Sequence, residues 1–113
     1  MFSGVVVGFE SCVNLTDAAA SHLARCTELQ SVNFRECEKL SDAAADHLSK
    51  CPLLQSVNFG RCQNLTGAAA MHLANCPQLQ TVNFKGSGNR SNGNFRFAAG
   101  MHLQRLSELQ LHL

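Results

Sequence analysis

The sequence LQSVNFRECEKL, residues 29–40, decides the fold of this 113-residue chain. Its apolar residues follow the spacing L-x-x-V-x-F-x-x-C-x-x-L, which is neither the period of about 3.6 residues of an amphipathic helix nor the strict alternation of a half-buried strand. The stretch returns at residues 54–65 as LQSVNFGRCQNL, shifted by 25 residues, and opens again at residue 79 as LQTVNF. The chain is therefore built from copies of one short unit.

Three close copies of a 25-residue unit fill most of the chain, at residues 10–34, 35–59 and 60–84. All three follow the pattern C-x-x-L-[TS]-x-A-A-A-x-H-L-x-x-C-x-x-L-Q-x-V-N-F. A fixed period of this size is typical of a solenoid, in which each unit buries its apolar face only against its neighbours. We expect one strand and one helix in every unit.

The whole chain, residues 1–113, is predicted to be a single domain. A partial strand at residues 4–9 precedes the three units. Residues 85–94 read KGSGNRSNGN, a composition typical of a flexible loop. A degenerate repeat occupies residues 95–113, where AAGMHL echoes the earlier AAAMHL at an offset of 30 residues, and a fifth strand is expected at residues 109–113.

The helix of each unit begins at a residue suited to an N-cap and is predicted to end near the second cysteine of the unit. The N-cap positions are Thr16, Ser41 and Thr66, and the terminal cysteines are Cys26, Cys51 and Cys76. Asp17 and Asp42 add negative charge to the first turn. Because strand, loop, helix and return repeat in one direction, the strands must form a parallel sheet with the helices on one side of it.

These motifs resemble the cysteine-containing subclass of leucine-rich repeats. That family's consensus runs from a loop cysteine and Leu-Thr-Asp through a short helix to Cys-Pro and L-x-x-L-x-L, and the match is good over residues 10–84. The resemblance implies an α/β fold, a right-handed leucine-rich-repeat solenoid in a short horseshoe arc, with the sheet concave and the helices convex. It also implies that the loop cysteines, Cys12, Cys37 and Cys62, satisfy backbone groups of neighbouring repeats.

The resemblance implies a noncatalytic protein-interaction module or scaffold, with a protein as its partner. Proteins of this family often serve as substrate-recognition arms of ubiquitin ligases, joined to an N-terminal F-box. No F-box precedes residue 10, so we expect that role only as part of a longer chain.

Cysteine and histidine columns offer an alternative, a metal site. His22, His47 and His72 each precede a cysteine by four residues, and His102 continues the column. However, no two cysteines are nearer than 11 residues, whereas zinc sites need close pairs such as C-x-x-C. We therefore interpret the cysteines as structural thiols and the histidine column as a product of duplication. No G-x-S-x-G turn or phosphate-binding loop is present, so we expect no enzyme activity, metal or cofactor.

The outward positions of the strands are the candidate binding surface. Asn33, Asn58 and Asn83 stand in one column and could hydrogen-bond to one another as an amide ladder, or could form a polar docking strip for a peptide or protein. A neighbouring column varies in charge between repeats, as expected for a surface that contacts a partner. The predicted partner-binding residues are Ser31, Asn33, Arg35, Glu36, Ser56, Asn58, Arg61, Asn83 and Lys85.

Charge and hydropathy exclude other partners. A net charge of +1, without clustered Lys and Arg, argues against nucleic acid. No run approaches the roughly 18 apolar residues of a membrane helix, and the apolar start MFSGVVVGF lacks the basic region of a signal peptide. We therefore expect a cytoplasmic or nuclear protein. The strand at residues 5–9 would be an unpaired edge, which predicts self-association along it or a longer array.

Overall fold

The structure is a computed structural model that describes residues 4–88, 100, 101, 103 and 110–112. Strands and short helices alternate along the chain. In order, the elements are β1 (Val5–Gly8), α1 (Asp17–Leu23), β2 (Leu29–Asn33), α2 (Asp42–Leu48), β3 (Ser56–Asn58), α3 (Gly67–Leu73), β4 (Thr81–Asn83) and β5 (Gln110–His112). Gly100, Met101 and Leu103 are helical, inside the predicted helix of the degenerate repeat. Most of the predicted loop at residues 85–94 lies outside the described residues.

The strands form one parallel sheet in the order β1-β2-β3-β4-β5, so each unit pairs with the units before and after it in sequence. The register follows the 25-residue repeat, with Val7 opposite Val32, Val32 opposite Val57, and Val57 opposite Val82. A register shift between Val5 and Val6 is the one departure among these pairs. This order, with α1 packed on α2 and α2 on α3, is compatible with a small repeat solenoid.

The helices begin where the sequence predicts but end about one turn earlier. Each helix stops at Leu23, Leu48 or Leu73, three residues before the expected cysteine. Beyond that point the chain continues in tight turns, with the Cys26 N–H donating to the Leu23 carbonyl at 2.8 Å. The predicted N-cap positions are confirmed at Thr16, Ser41 and Thr66; the side chains of Ser41 and Thr66 accept an N–H of the first turn, whereas that of Thr16 makes no capping bond.

Stacked aromatic rings form the centre of the core. Phe9, Phe34, Phe59 and Phe84 each follow a strand, and successive rings lie 5.7, 5.7 and 6.1 Å apart between centroids. The buried alanines of the helices, such as Ala44 and Ala69, have no side chain beyond Cβ and let the helices pack closely on this column. The valine and phenylalanine of each unit face inward and are buried from β2 to β4, as the resemblance to leucine-rich repeats implies.

A ladder of hydrogen bonds joins the loop after each strand to the phenylalanine that follows the previous strand. The Cys37 thiol donates to the Phe9 carbonyl at 3.0 Å, and the Cys62 thiol donates to the Phe34 carbonyl at 3.1 Å. Ser87 continues the ladder, since its hydroxyl donates to the Phe59 carbonyl at 2.6 Å. The serine thus replaces a cysteine without loss of the hydrogen bond, and the expected role of the loop cysteines holds for Cys37 and Cys62.

Hydrogen bonds to aspartate side chains, called aspartate bridges below, form a second link between units. The sequence pattern does not predict them. The Asp17 carboxylate accepts the N–H of Ser41 at 2.9 Å and its hydroxyl at 2.6 Å. Asp42 binds the N–H of Thr66 at 2.8 Å and also its hydroxyl. Each aspartate therefore binds the N-cap residue of the next unit, in addition to its place in the first turn of its own helix.

None of the helices in the described part of the chain reaches the length and hydropathy that a membrane span requires.

Candidate functional site

The strands β2, β3 and β4 all end on an asparagine, and this residue shapes the turn that follows. The side-chain oxygens of Asn33, Asn58 and Asn83 accept the backbone N–H two residues later, at 2.9, 2.8 and 2.8 Å. Among the described residues no hydrogen bond joins one of these asparagine side chains to the next, so the alternative of an amide ladder is wrong. Local side-chain bonds of this kind end a strand and start a turn.

The turns that follow the strands contain residues in the left-handed backbone region. Ser11, Glu36 and Arg61 have φ of 61°, 64° and 57°, and Gly86 has 75° at the equivalent position. For a residue other than glycine this conformation costs roughly 1–2 kcal/mol. The turns are nevertheless held in place, since the N–H of Glu36 donates to Gly60 at 2.8 Å and the N–H of Arg61 donates to Lys85 at 3.0 Å. Two charged side chains are thus fixed on neighbouring turns.

These turns and the loops after them enclose an open groove of about 1180 Å³ at the carboxyl ends of β2, β3 and β4. Because the strands are parallel, equivalent turns of successive units meet at the same edge of the sheet. The described residues that line the groove are Arg35, Glu36, Glu38, Gly60, Arg61, Gln63, Asn64, Leu65, Thr66, Asn83, Lys85, Gly86 and Gly88. Nearly all of them are polar, charged or glycine, so the groove is suited to hydrogen bonds and ion pairs.

Two glycines make room for two arginine side chains in the groove. A Cβ at Gly60 would lie 3.0 Å from Oδ1 of Asn58, 3.4 Å from the carbonyl oxygen of Lys85 and 3.5 Å from Cγ of Arg35. A Cβ at Gly86 would lie 3.2 Å from Cγ of Arg61. The stems of both arginines therefore pass over positions that lack a side chain. Gly60 is buried and stands in the column that holds Glu10, Arg35 and Lys85 in the other units, and its missing side chain leaves a notch between the Arg35 stem and the Lys85 carbonyl.

Charge is distributed unevenly along the groove. At one end, Arg35 forms an ion pair with the adjacent Glu36, and the exposed Glu38 adds a further negative charge. At the other end, Arg61 and Lys85 are both exposed, and no described carboxylate lies within ion-pair distance of either. The lining therefore carries net charge −1 at the first end (one cation, two anions) and +2 at the second (two cations).

The groove contains five of the nine contact residues that the sequence predicts: Arg35, Glu36, Arg61, Asn83 and Lys85. The other four, Ser31, Asn33, Ser56 and Asn58, lie on β2 and β3, are half-buried and are outside the groove lining. Eight lining residues are not among the predicted contacts, and these include the polar side chains of Glu38, Gln63 and Asn64. The sequence contains a signal for two of them, because Val13, Glu38 and Gln63 occupy equivalent positions at the 25-residue offset. This position is apolar in the first unit and polar in the second and third.

All six cysteines are free thiols, and their exposure depends on the position of the unit. Cys37, Cys51, Cys62 and Cys76 are fully buried, whereas Cys12 is exposed and Cys26 is half-buried, so the thiols of the first unit lie outside the core. Burial raises the pKa of Cys37 and Cys51, and raises the pKa of Cys62 and Cys76 from 9.0 to about 12. These thiols are protonated at neutral pH and make poor nucleophiles or metal ligands.

The histidine column lies on the helices, away from the groove. His72 is half-buried, and its Nδ1 lies 3.7 Å from a carboxylate oxygen of Asp46 on the preceding helix. His22 is exposed and His47 half-buried, while His102 lies outside the described residues. Across the described part of the chain, no group of three or more His, Cys, Asp or Glu side chains is arranged to hold a metal ion.

Comparison with known proteins connects the chain to others through its fold. A scan against protein-family models finds no match, and a search of curated proteins finds none either. Among solved structures, the chain is similar to a chain in the crystal structure of the Rad7 and Elc1 complex in yeast, with a TM-score of 0.69 and 20% sequence identity over 92% of this chain. The match spans 24% of the yeast chain. At this identity the likeness shows that the two share a fold, in which helices alternate with the strands of a parallel sheet.

Proposed function

We propose that this chain is a noncatalytic protein-interaction module, a right-handed leucine-rich-repeat solenoid with the sheet concave and the helices convex, whose groove at the carboxyl ends of the strands binds a protein partner. The observation that carries the proposal is the groove itself. It spans equivalent turns of successive units and displays charged side chains at positions that vary from one unit to the next.

The geometry of the turns supports a binding surface there. Glu36 and Arg61 hold a left-handed conformation that glycine would adopt at lower cost, as Gly86 does one unit later. Backbone strain of this kind is common where a side chain has a task besides folding. Because both residues line the groove, the strain places two charged groups where a partner would meet them.

The chemistry of the thiols supports a noncatalytic role. A catalytic cysteine needs a lowered pKa, whereas burial raises the pKa of Cys37, Cys51, Cys62 and Cys76. Their hydrogen bonds run to backbone carbonyls 28 residues earlier in the chain, as in Cys62 to Phe34, so their role is structural.

The length of the chain bears on its wider role. The chain spans about a quarter of the yeast chain whose fold it shares, and that chain was crystallised in a protein complex. We propose that these units likewise work beside a protein partner. A substrate-recognition arm of a ubiquitin ligase, as part of a longer chain, stays a prediction from the sequence resemblance.

Protein capture from a cell extract tests the proposal with two glycine variants. Gly60→Leu places a side chain in the notch of the groove, whereas Gly8→Leu adds the same side chain on β1, where a Cβ would meet nothing within 4 Å. Position 60 accepts side chains in other units, as Arg35 and Lys85 show, so the variant should fold. Circular dichroism checks that it does.

We expect the wild-type chain and Gly8→Leu to retain the same proteins, identified by mass spectrometry, and Gly60→Leu to lose them. Equal retention by all three chains would place binding outside the groove. Failure of the wild-type chain to retain any protein above a bead control would overturn the proposed function.

A further inference from the structure

The groove has two ends of opposite charge, and only one of them offers free cations. Around β2, the guanidinium of Arg35 is neutralised by Glu36, and Glu38 leaves an excess of negative charge. Around β3 and β4, Arg61 and Lys85 are exposed and have no carboxylate partner among the described residues. A cation pair that the chain leaves unmatched on a built surface favours an anionic partner at that end.

Hydrogen bonds hold the backbone of both cationic residues in place. Lys85 follows the buried Phe84, and its N–H donates to the side chain of Asn83 at 2.8 Å. The carbonyl of Lys85 in turn accepts the N–H of Arg61 at 3.0 Å. The two cationic residues are therefore joined through one backbone hydrogen bond across adjacent turns, and the notch at Gly60 lies between Lys85 and Arg35.

We propose that the groove binds an acidic segment of a protein partner, with its Asp or Glu carboxylates against Arg61 and Lys85 and its polar or basic residues against Glu38. This inference rests on the proposed function and specifies the chemistry of the partner. Guanidinium and ammonium groups bind carboxylates through charge-assisted hydrogen bonds, and the arginine fork can bind both carboxylate oxygens at once.

A nucleic acid fits this groove less well. A phosphate backbone carries a charge on every nucleotide and needs a row of cations to release its counterions. Here the same groove contains Glu36 and Glu38, which would repel phosphates beyond the first contact. An acidic peptide can confine its carboxylates to one end, as the charge pattern requires.

Selection of peptides from a random-sequence display library, with the full chain as bait, tests the inference. The variant R61E/K85E reverses the cationic end of the groove. The matched control R25E/K50E makes the same change in net charge at two exposed residues outside the groove lining. A selected peptide is then measured by fluorescence anisotropy against all three chains at low and high salt.

We expect the wild-type chain and R25E/K50E to select peptides enriched in Asp and Glu over the starting library. A selected peptide should bind R61E/K85E at least about tenfold more weakly, since two attractive contacts become repulsive. Its affinity for the wild-type chain should fall as salt screens the charges.

Three outcomes would overturn the inference. The first is the selection of peptides that are not enriched in Asp and Glu but fail to bind Gly60→Leu. That result would support the groove as a binding site and refute an acidic partner. The second is acidic peptides that bind R61E/K85E as well as the wild-type chain. The third is homopolymeric RNA that binds the wild-type chain and not R61E/K85E, while no acidic peptide is selected. Failure of the proposed function would be recognised separately, by the absence of any captured protein.

Discussion

The aspartate bridge from Asp42 to Thr66 is the link between units whose strength can be measured most cleanly. The Asp42 carboxylate accepts the N–H of Thr66 at 2.8 Å and also its hydroxyl. We expect Asp42→Ala to destabilise the fold, because it removes both bonds that Asp42 makes to the N-cap residue of α3. Thr66→Val removes only the hydroxyl and keeps the shape of the side chain.

The size of the effect follows from exposure. A hydrogen bond to a charged group contributes roughly 1.5–3 kcal/mol when it is well buried. Asp42 is half-buried and Thr66 is exposed, so water and salt screen much of that value. We expect Asp42→Ala to cost about 1–2 kcal/mol and the coupling between Asp42 and the Thr66 hydroxyl to be about 1 kcal/mol.

A double-mutant cycle in urea, followed by circular dichroism, measures the coupling. The cycle compares Asp42→Ala, Thr66→Val and the double variant with the wild-type chain, so the change in helix propensity at position 42 cancels. A reference cycle pairs Thr66→Val with Asp46→Ala, whose carboxylate faces His72 instead, and should give no coupling. A coupling of zero would refute the bond from the Thr66 hydroxyl to Asp42 as a stabilising contact, and unchanged stability of Asp42→Ala would refute the bridge as a link between units.

Thiol-reactive reagents should modify Cys12 and Cys26 well before the four buried cysteines, as mass spectrometry after brief alkylation will show; equal rates would contradict the observed burial. Raising the pH from 9 to 12 should lower the free energy of unfolding, because the pKa of Cys62 and Cys76 rises from 9.0 to about 12 on folding. Stability from these thiols is complete below pH 9 and is lost as pH rises through the folded pKa. The slope of the free energy of unfolding against pH, measured by urea titration, should reach up to about 1.4 kcal/mol per pH unit for each thiol. This slope should be smaller in C62A/C76A, and an unchanged slope would refute the effect. Val6→Lys, at a position that is 72% exposed on the edge strand β1, should reduce self-association in analytical ultracentrifugation. A wild-type chain that is already monomeric at high concentration would contradict self-association through β1.

The spacing of apolar residues predicts the strands, and the resemblance to leucine-rich repeats implies which strand side chains face inward. The valine and phenylalanine of each unit stand two residues apart, and a side chain at a given register must face the same way in each copy. Val32 and Phe34 are accordingly buried. The same resemblance implies that the loop cysteines bind backbone groups, and Cys37 and Cys62 do so.

Side-chain pairing across units was not predictable in the same way. The bridge from Asp17 to Ser41 joins positions 24 residues apart, one fewer than the repeat, so it is invisible to a comparison of equivalent positions. The asparagine column allows either an amide ladder or a docking strip, because equivalent positions alone do not reveal a turn that uses the amide oxygen locally. Only the backbone path shows that Asn58 turns back to the N–H of Gly60.

The groove was found only in part because it depends on what is missing. Sequence columns emphasise side chains that are present, and they led to Arg35, Arg61 and Lys85. The notch exists because Gly60 has no side chain. The difference in charge between the two ends exists because Glu38, two residues after Glu36, adds a second carboxylate beside Arg35. Such a surface is defined by the three-dimensional arrangement of several turns rather than by any one of them.

Site-specific photo-crosslinking tests most directly the central claim that the groove binds a protein. A photoreactive amino acid replaces Arg61 in the groove or, in a matched chain, Met71, which is 46% exposed on helix α3. We predict that position 61 forms covalent adducts with partner protein in a cell extract and that position 71 forms none. Adducts at position 71 without any at position 61 would contradict the assignment of the groove as the binding site.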